Sequence, residues 1–381
     1  MPLFMISSRR SLAFVVGCRI VTVLLLLPSV LGAGIVETVS GKIEGKISFL
    51  PNAVKVDEQQ VASKDILYLY SENSSPPVSS PELALFRNGE VVVGGIVSGS
   101  DKQVDLSCKW FGRKSFDLKK LSVLQFISDE SLADGANETL YRKEGQPIPG
   151  ALVWIDEGTI GLDSPFGALK LIRSGLVRYV LDKNPSLPLV GDEVMGDEIG
   201  LSDGNVFRGR LHFDEGKVRL THPVVGEMAF PVSVVRFIAR HRPTMVEINL
   251  LKRERIDAGG GILAKGKQFS YTEEPGTGFI RSTRIEPQTK TRYAQPERSG
   301  GKLLFRTTLC PLKSARGMTR FTMSVGSKTV LERTVSPSEL PQSVEVQLPE
   351  GEDFVVEVDF GPLLRFPCGV ILRDAHLVVA K

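Results

Sequence analysis

Apolar and polar positions alternate along most of this chain, and three stretches end in nearly the same apolar phrase: Ser122-Val-Leu-Gln-Phe-Ile127, Leu176-Val-Arg-Tyr-Val180 and Ser233-Val-Val-Arg-Phe-Ile238. Each phrase closes a glycine-punctuated pattern with a period of two, the signature of short strands. The fullest copy runs Asp203-Gly204, Gly209, Val218-x-Leu220, Gly226, Phe230-Pro231 and then the closing phrase. Its upstream relative reads Asn88-Gly89, Gly94, Val104-x-Leu106, Gly112, Leu118 and the same close. Asn-Gly and Asp-Gly are the favoured pairs of a two-residue hairpin, whose central positions both need positive φ. Gly94 and Gly209 fall inside strands, where glycine marks a bend or bulge that lets a small sheet curl.

The pattern divides the chain as follows. A weak first copy occupies 34–70, a Ser/Pro linker 71–81, a second copy 82–128, a third that has lost its opening Asp-Gly 150–182, and a fourth 190–240. A polar stretch at 129–149 separates the second and third copies. Strongly bent antiparallel units of this size predict small SH3-like or Sm-like barrels, with each apolar closing strand a sealed edge or an interface with the next copy. Residues 241–301 read as polar and irregular, with loops expected at Glu273–Gly278, Arg292–Arg298 and the glycine run Gly259–Gly261. Alternation returns at Arg320–Val325, Ser343–Leu348, Phe354–Asp359 and Val370–Val379, the half-buried strands of a sandwich. The predicted fold class is all-β throughout.

With 381 residues the chain is long enough for two or three domains, and its 42% apolar content supplies real cores. Lys and Arg total 47 against 44 Asp and Glu, a net charge of +3 that offers no concentrated basic face for nucleic acid. Residues 1–33 have the form of a targeting segment: Arg9 and Arg10, an apolar run from Ile20 to Leu27, and small residues near Gly32 and Ala33. Cleavage there makes the protein secreted or periplasmic; left uncut, the segment is a single-pass anchor and the only membrane contact. Cys310 and Cys368 lie in one C-terminal domain, where a disulfide and a pair of buried thiols are both open readings, and Cys108 is read as a core thiol.

Candidate chemistry is sparse. No nucleophile elbow, phosphate loop or zinc spacing is present, and the four histidines (His212, His222, His241 and His376) stand apart from any ligand partner. They read as surface or strand-packing residues. Asp192-Glu193 and Asp197-Glu198 are paired carboxylates, read here as solvated turn residues because a general acid needs a buried cleft. The sequence therefore predicts no catalytic residues, no metal and no cofactor.

Arg320-Phe-Thr-Met-Ser-Val-Gly326, Phe354-Val-Val-Glu-Val-Asp359 and Asp374-Ala-His-Leu377 follow one another in the last third. In these elements residues 245–381 resemble NPCBM, a bacterial carbohydrate-binding module found beside a glycosyl hydrolase family. The resemblance implies a jelly-roll similar to galactose-binding-like domains, with a polysaccharide or envelope glycan as partner. Two departures fall in loops: Ser327-Lys328 leads straight into Thr329-Val-Leu331, and Phe366-Pro-Cys-Gly369 replaces the acidic and aromatic sequence expected before the last strand. Among the sandwich arginines Arg306, Arg316, Arg365 and Arg373, a sugar site would join a planar donor to an aromatic face, placing Arg365 and Arg373 with Phe360 and Phe366. Two functions follow as expectations: a non-catalytic glycan-binding protein on a β-repeat scaffold, or a structural scaffold whose repeats bind proteins and whose sandwich takes no sugar.

Overall fold

Alternation becomes strand almost everywhere in the residues that the computed structural model describes: 30–71, 82–127, 136–182, 196–240, 245–248, 251–256, 268–272, 281–296, 301–312, 315–350, 352–362 and 367–380. The protein is all-β, with single-turn 3-10 segments and no α-helix among these residues. The linker at 72–81, Gly259–Gly261 and most of the targeting segment lie outside them.

Residues 30–239 form four units. The first contains β1 (Val30–Thr38), β2 (Gly41–Leu50), β3 (Ala53–Val56), β4 (Gln59–Ala62) and β5 (Ile66–Ser71). The second contains β6 (Leu83–Phe86), β7 (Val91–Val93), β8 (Gly95–Ser100), β9 (Gln103–Cys108), β10 (Gly112–Asp117) and β11 (Leu121–Gln125). The third contains β12 (Thr139–Arg142), β13 (Ile148–Pro149), β14 (Ala151–Ile155), β15 (Thr159–Ser164), β16 (Gly167–Ile172) and β17 (Leu176–Val180). The fourth contains β18 (Asp197–Leu201), β19 (Val206–Asp214), β20 (Lys217–His222), β21 (Gly226–Pro231) and β22 (Val235–Ala239).

One rule orders all four. The opening strand pairs antiparallel with the strand after it and with the closing strand: β1 with β2 and β5, β6 with β7 and β11, β12 with β13 and β17, β18 with β19 and β22. Glycine makes the bend between the two halves of each second strand. A Cβ on Gly94 would stand 2.0 Å from the Ser107 carbonyl oxygen, and one on Gly209 2.3 Å from that of Thr221. Only glycine lets the backbones approach this closely.

The hairpin turns differ from the two-residue type. Gly89 and Gly204 have φ of 85° and 94°, whereas Asn88 and Asp203 are not left-handed. The Gly89 amide donates to the Phe86 carbonyl and the Phe86 amide to that of Glu90; Gly204, Leu201 and Asn205 repeat both bonds. These are three-residue turns carrying a glycine bulge. The third unit also begins earlier than position 150. Thr139–Arg142, inside the stretch read as a polar separator, pairs with β17 and buries Leu140 completely.

The closing strands pair with one another. β11 lies against β17 with Leu124 opposite Tyr179, and β5 lies against β22 with Leu69 opposite Ile238. All of β11 and β22 is buried. Val91 of β7 faces Val206 of β19, and β8 pairs with β14, so the four units share one apolar core running from Val36 to Ile238.

The remainder is a two-layer sandwich with its own core around Phe305, Phe321, Phe354 and Leu372. It comprises β23 (Met245–Glu247), β24 (Arg253–Ile256), β25 (Gln268–Thr272), β26 (Arg281–Ile285), β27 (Thr289–Tyr293) and β28 (Lys302–Pro311). The rest are β29 (Thr319–Val325), β30 (Lys328–Val335), β31 (Gln342–Leu348), β32 (Phe354–Phe360) and β33 (Val370–Ala380). One layer runs β25-β26-β33-β28-β31, with β23 also on β33; the other runs β24-β27-β32-β29-β30. The segment read as irregular thus supplies five strands, and Arg292 lies within one of them. In β27 the buried alternate positions are Thr289, Thr291 and Tyr293, so threonine stands where an aliphatic residue would announce a strand.

Candidate functional site: a buried polar joint

Charged side chains converge where the four-unit array meets the sandwich. Glu37 of β1 is 2% exposed, and Arg306 of β28 is 3% exposed. The Arg306 guanidinium donates from Nη1 to Glu37 Oε1 at 2.9 Å and to the Thr38 carbonyl at 2.9 Å, from Nη2 to the Val39 carbonyl at 3.2 Å, and from Nε to Glu345 at 2.7 Å. His376 of β33 meets the same Glu37 oxygen through Nε2 at 2.9 Å. Burial pushes the Glu37 carboxyl up, but His376, Lys42 and Arg306 outweigh it and hold the group down at about 2. Leu67, Met245 and Val378 pack beside this cluster as a small apolar seal.

The bend that aims His376 is made at Asp374, a non-glycine residue with φ of 52°. There β33 changes register against β28, between Arg306 and Thr308. Asp374, Glu247 of β23, Glu198 of β18 and Tyr68 of β5 line a cavity of about 30 Å³, room for a water molecule or two. Tyr68 stacks on Phe237, and its buried hydroxyl has no hydrogen-bond partner. Burial raises Asp374 to about 7 against the pull of His376, Arg373 and Lys42, while Glu37 adds to the rise. Burial likewise raises Glu247, helped by Glu198 and Asp374 and opposed by Arg208.

The sign of the pH dependence follows. Asp374 and Glu247 bind protons more tightly when folded, so their contribution to stability falls as pH rises from about 4 through their folded values. Glu37 acts oppositely: its contribution is present above about 4.5 and is lost as pH falls toward 2. Asn tolerates left-handed φ, so Asp374→Asn should raise the melting temperature by about 2 °C at pH 8 and leave it unchanged at pH 4.5. Equal shifts at both pH values in circular-dichroism melts would remove Asp374 as the cause.

A second network ties the second unit to the fourth. Glu90 accepts from the Arg208 amide at 2.7 Å and meets His222 Nε2 at 2.9 Å. The amides of Val224 and Val225 donate to His222 Nδ1, so the ring proton sits on Nε2 and is donated to Glu90. Arg208 and Glu198 form an ion pair at 2.7 Å, both almost fully buried. Asp197-Glu198 is therefore no solvated turn: both residues lie in β18, and Asp197 faces Arg240 at 3.4 Å. Isolated charges would be too costly to bury, and arginine partners make the position tenable.

Two of the four sugar-site residues fall among the described residues. Arg365 and Phe366 lie outside the described residues. Phe360 ends β32 in one layer and Arg373 lies in β33 in the other, so no joint aromatic and guanidinium face is formed by these two. Arg306 faces the array instead, and Arg316 is exposed. Cys310 and Cys368 are buried, and no disulfide joins them; Cys310 packs with Leu312 and Ile371, and burial raises the Cys368 thiol. Among the described residues no group of three or more His, Cys, Asp or Glu side chains is arranged to hold a metal ion, and no helix is long and apolar enough to cross a membrane.

No family model matches the chain, and no curated protein matches it. Solved structures that align with the chain include the CBM51-2 and INT domains of Clostridium perfringens ZmpB, at 14% identity and a TM-score of 0.28, covering 43% of this chain and 38% of that one. The N-terminal CBM22-1-CBM22-2 tandem of Paenibacillus barcinonensis Xyn10C aligns at 6% identity and a TM-score of 0.25, over 81% of this chain and 100% of that one. SGBP-B from a complex xyloglucan utilization locus in Bacteroides uniformis aligns at 8% and 0.24, over 82% and 94%. The chain thus spans well under half of the ZmpB fragment. The first two contain carbohydrate-binding modules by name, and at such TM-scores the likeness carries no function to this chain.

Proposed function

We propose that this protein is a non-catalytic extracytoplasmic scaffold, in which four small β-barrel units form one rigid body that holds the C-terminal sandwich in a fixed orientation. One observation carries the reading: the apolar closing strands of all four units are used up in pairs within the chain, so they build the body and are not offered to partners. The Glu37, Arg306 and His376 clamp extends that body to the sandwich. The targeting pattern of residues 1–33 supports a place outside the cytoplasm. Regular pairing of β1 with β2 begins at Ala33, after a register shift, so cleavage near Gly32 keeps the strand.

Glycan recognition by the sandwich is the second reading. Its support is that the three motifs resembling NPCBM form β29 and β32, adjacent in one layer, and part of β33 in the other. A polysaccharide pull-down and glycan array with the whole chain separate the two. The scaffold reading expects no retention; retention abolished by Arg365→Ala or Arg373→Ala would overturn it and place a sugar site on the sandwich.

A further inference from the structure

Among the described residues, the outermost meander strand of each unit leaves one backbone edge unpaired, and three of the four are protected. β4 has four residues with Gln59 and Gln60 exposed, β10 exposes Arg113 and Lys114, and β21 carries Glu227 and ends at Pro231. Short length, charge and proline are the usual means of keeping an edge from pairing. The fourth, β16, reads Gly-Ala-Leu-Lys-Leu-Ile and has one charge. It ends the sheet β10-β9-β8-β14-β15-β16, and its flanking apolar side chains are bare: Phe166 is 80% exposed and Ile172 70%.

We propose that β16 is a self-association edge, where two copies of this chain pair their β16 strands antiparallel about a two-fold axis through Leu169. Directly opposed residues in a sheet point to the same face, so a two-fold pairing must match residues of the same parity. Centring it on Leu169 sets Phe166 against Ile172 of the second copy, Gly167 against Leu171, and Ala168 against Lys170. The two bare apolar side chains at the ends of β16 then cover each other.

The charges agree with this register. Asp163 of β15 is exposed and pairs with Ala168, so Asp163, Ala168 and Lys170 of the second copy fall in one row on one face. Alternate strands are roughly 10 Å apart, and alanine between them leaves the lysine free to reach the carboxylate. In its own copy Lys170 stands 5.7 Å from the Trp154 ring, which lies over Gly161 in the same row. Each lysine is thus held between an indole and a carboxylate, twice over by symmetry. Centring on Lys170 instead would oppose the two lysines directly. The contact also continues an existing habit of the molecule, since β8 and β14 already join two units in this sheet.

This contact deepens the scaffold reading by naming its partner, and a monomeric result would remove it while leaving the joint with the sandwich intact. The test is oxidative cross-linking of the full chain in a Cys18→Ser background, where the remaining cysteines are buried. Leu169→Cys should form a covalent dimer on non-reducing gels, and Lys170→Cys should not. Ile172→Lys should weaken dimerisation about tenfold in sedimentation equilibrium, since two cross-strand apolar pairs are lost. A cross-link at Lys170→Cys without one at Leu169→Cys, or a monomer with no cross-link at either position, overturns the proposal.

Discussion

Arg306→Met should cost about 3–5 kcal/mol of stability, because it takes a hydrogen-bonded guanidinium away from the buried Glu37 carboxylate. The Thr38 and Val39 carbonyls and Glu345 lose the same donor. The loss is local, and the sandwich has a separate apolar core, so in chemical denaturation the transitions of array and sandwich should move further apart. A double-mutant cycle separates the pair from its surroundings. Glu37→Gln combined with Arg306→Met should cost less than the sum of the single changes, since the second removes a charge that the first has already orphaned. Additive losses, or a single change below about 0.5 kcal/mol, the range of ordinary surface substitutions, would show that the clamp does not hold the joint.

Leu124→Asp should be at least as damaging, at about 4 kcal/mol or more, because it places a carboxylate in a wholly buried closing strand. Leu124 lies between Ala84 of β6 and Tyr179 of β17. Hydrogen exchange should speed up through β11 and β17 and spread through the shared core of the array, while the sandwich strands keep their protection. Ile172→Lys is the control: its side chain is largely in water, so an added charge there should leave the stability of the monomer within about 0.5 kcal/mol. Equal losses in the array and the sandwich would mean that the two unfold together.

The closing strands could be found in the sequence because they are apolar on successive positions, and burial on both faces is what that pattern reports. The bends at Gly94 and Gly209 were legible for a similar reason, since only glycine fits there. β12 was hidden because Thr139–Arg142 carries one fully buried aliphatic residue, Leu140, and two polar ends. β27 was hidden behind threonines. The joint was the least legible part. Glu37, Glu198, Arg306 and His376 are residue types that usually mark a surface, and nothing local distinguishes a glutamate 2% exposed from a solvated one. Their partners are far away in the chain: Arg306 is 269 residues from Glu37, and His376 is 339. A spacing of that kind has no pattern to read. The one trace was the concentration of arginines in the sandwich strands, which pointed to a ligand and proved to point partly at the array.

Closing strands that marry two by two, the first unit with the fourth and the second with the third, impose a parity on this architecture. A chain that gained or lost a single unit would leave one apolar strand a widow in water, whereas duplication or deletion of a nested couple would not. Variation in length among chains built on this plan should therefore come in steps of two.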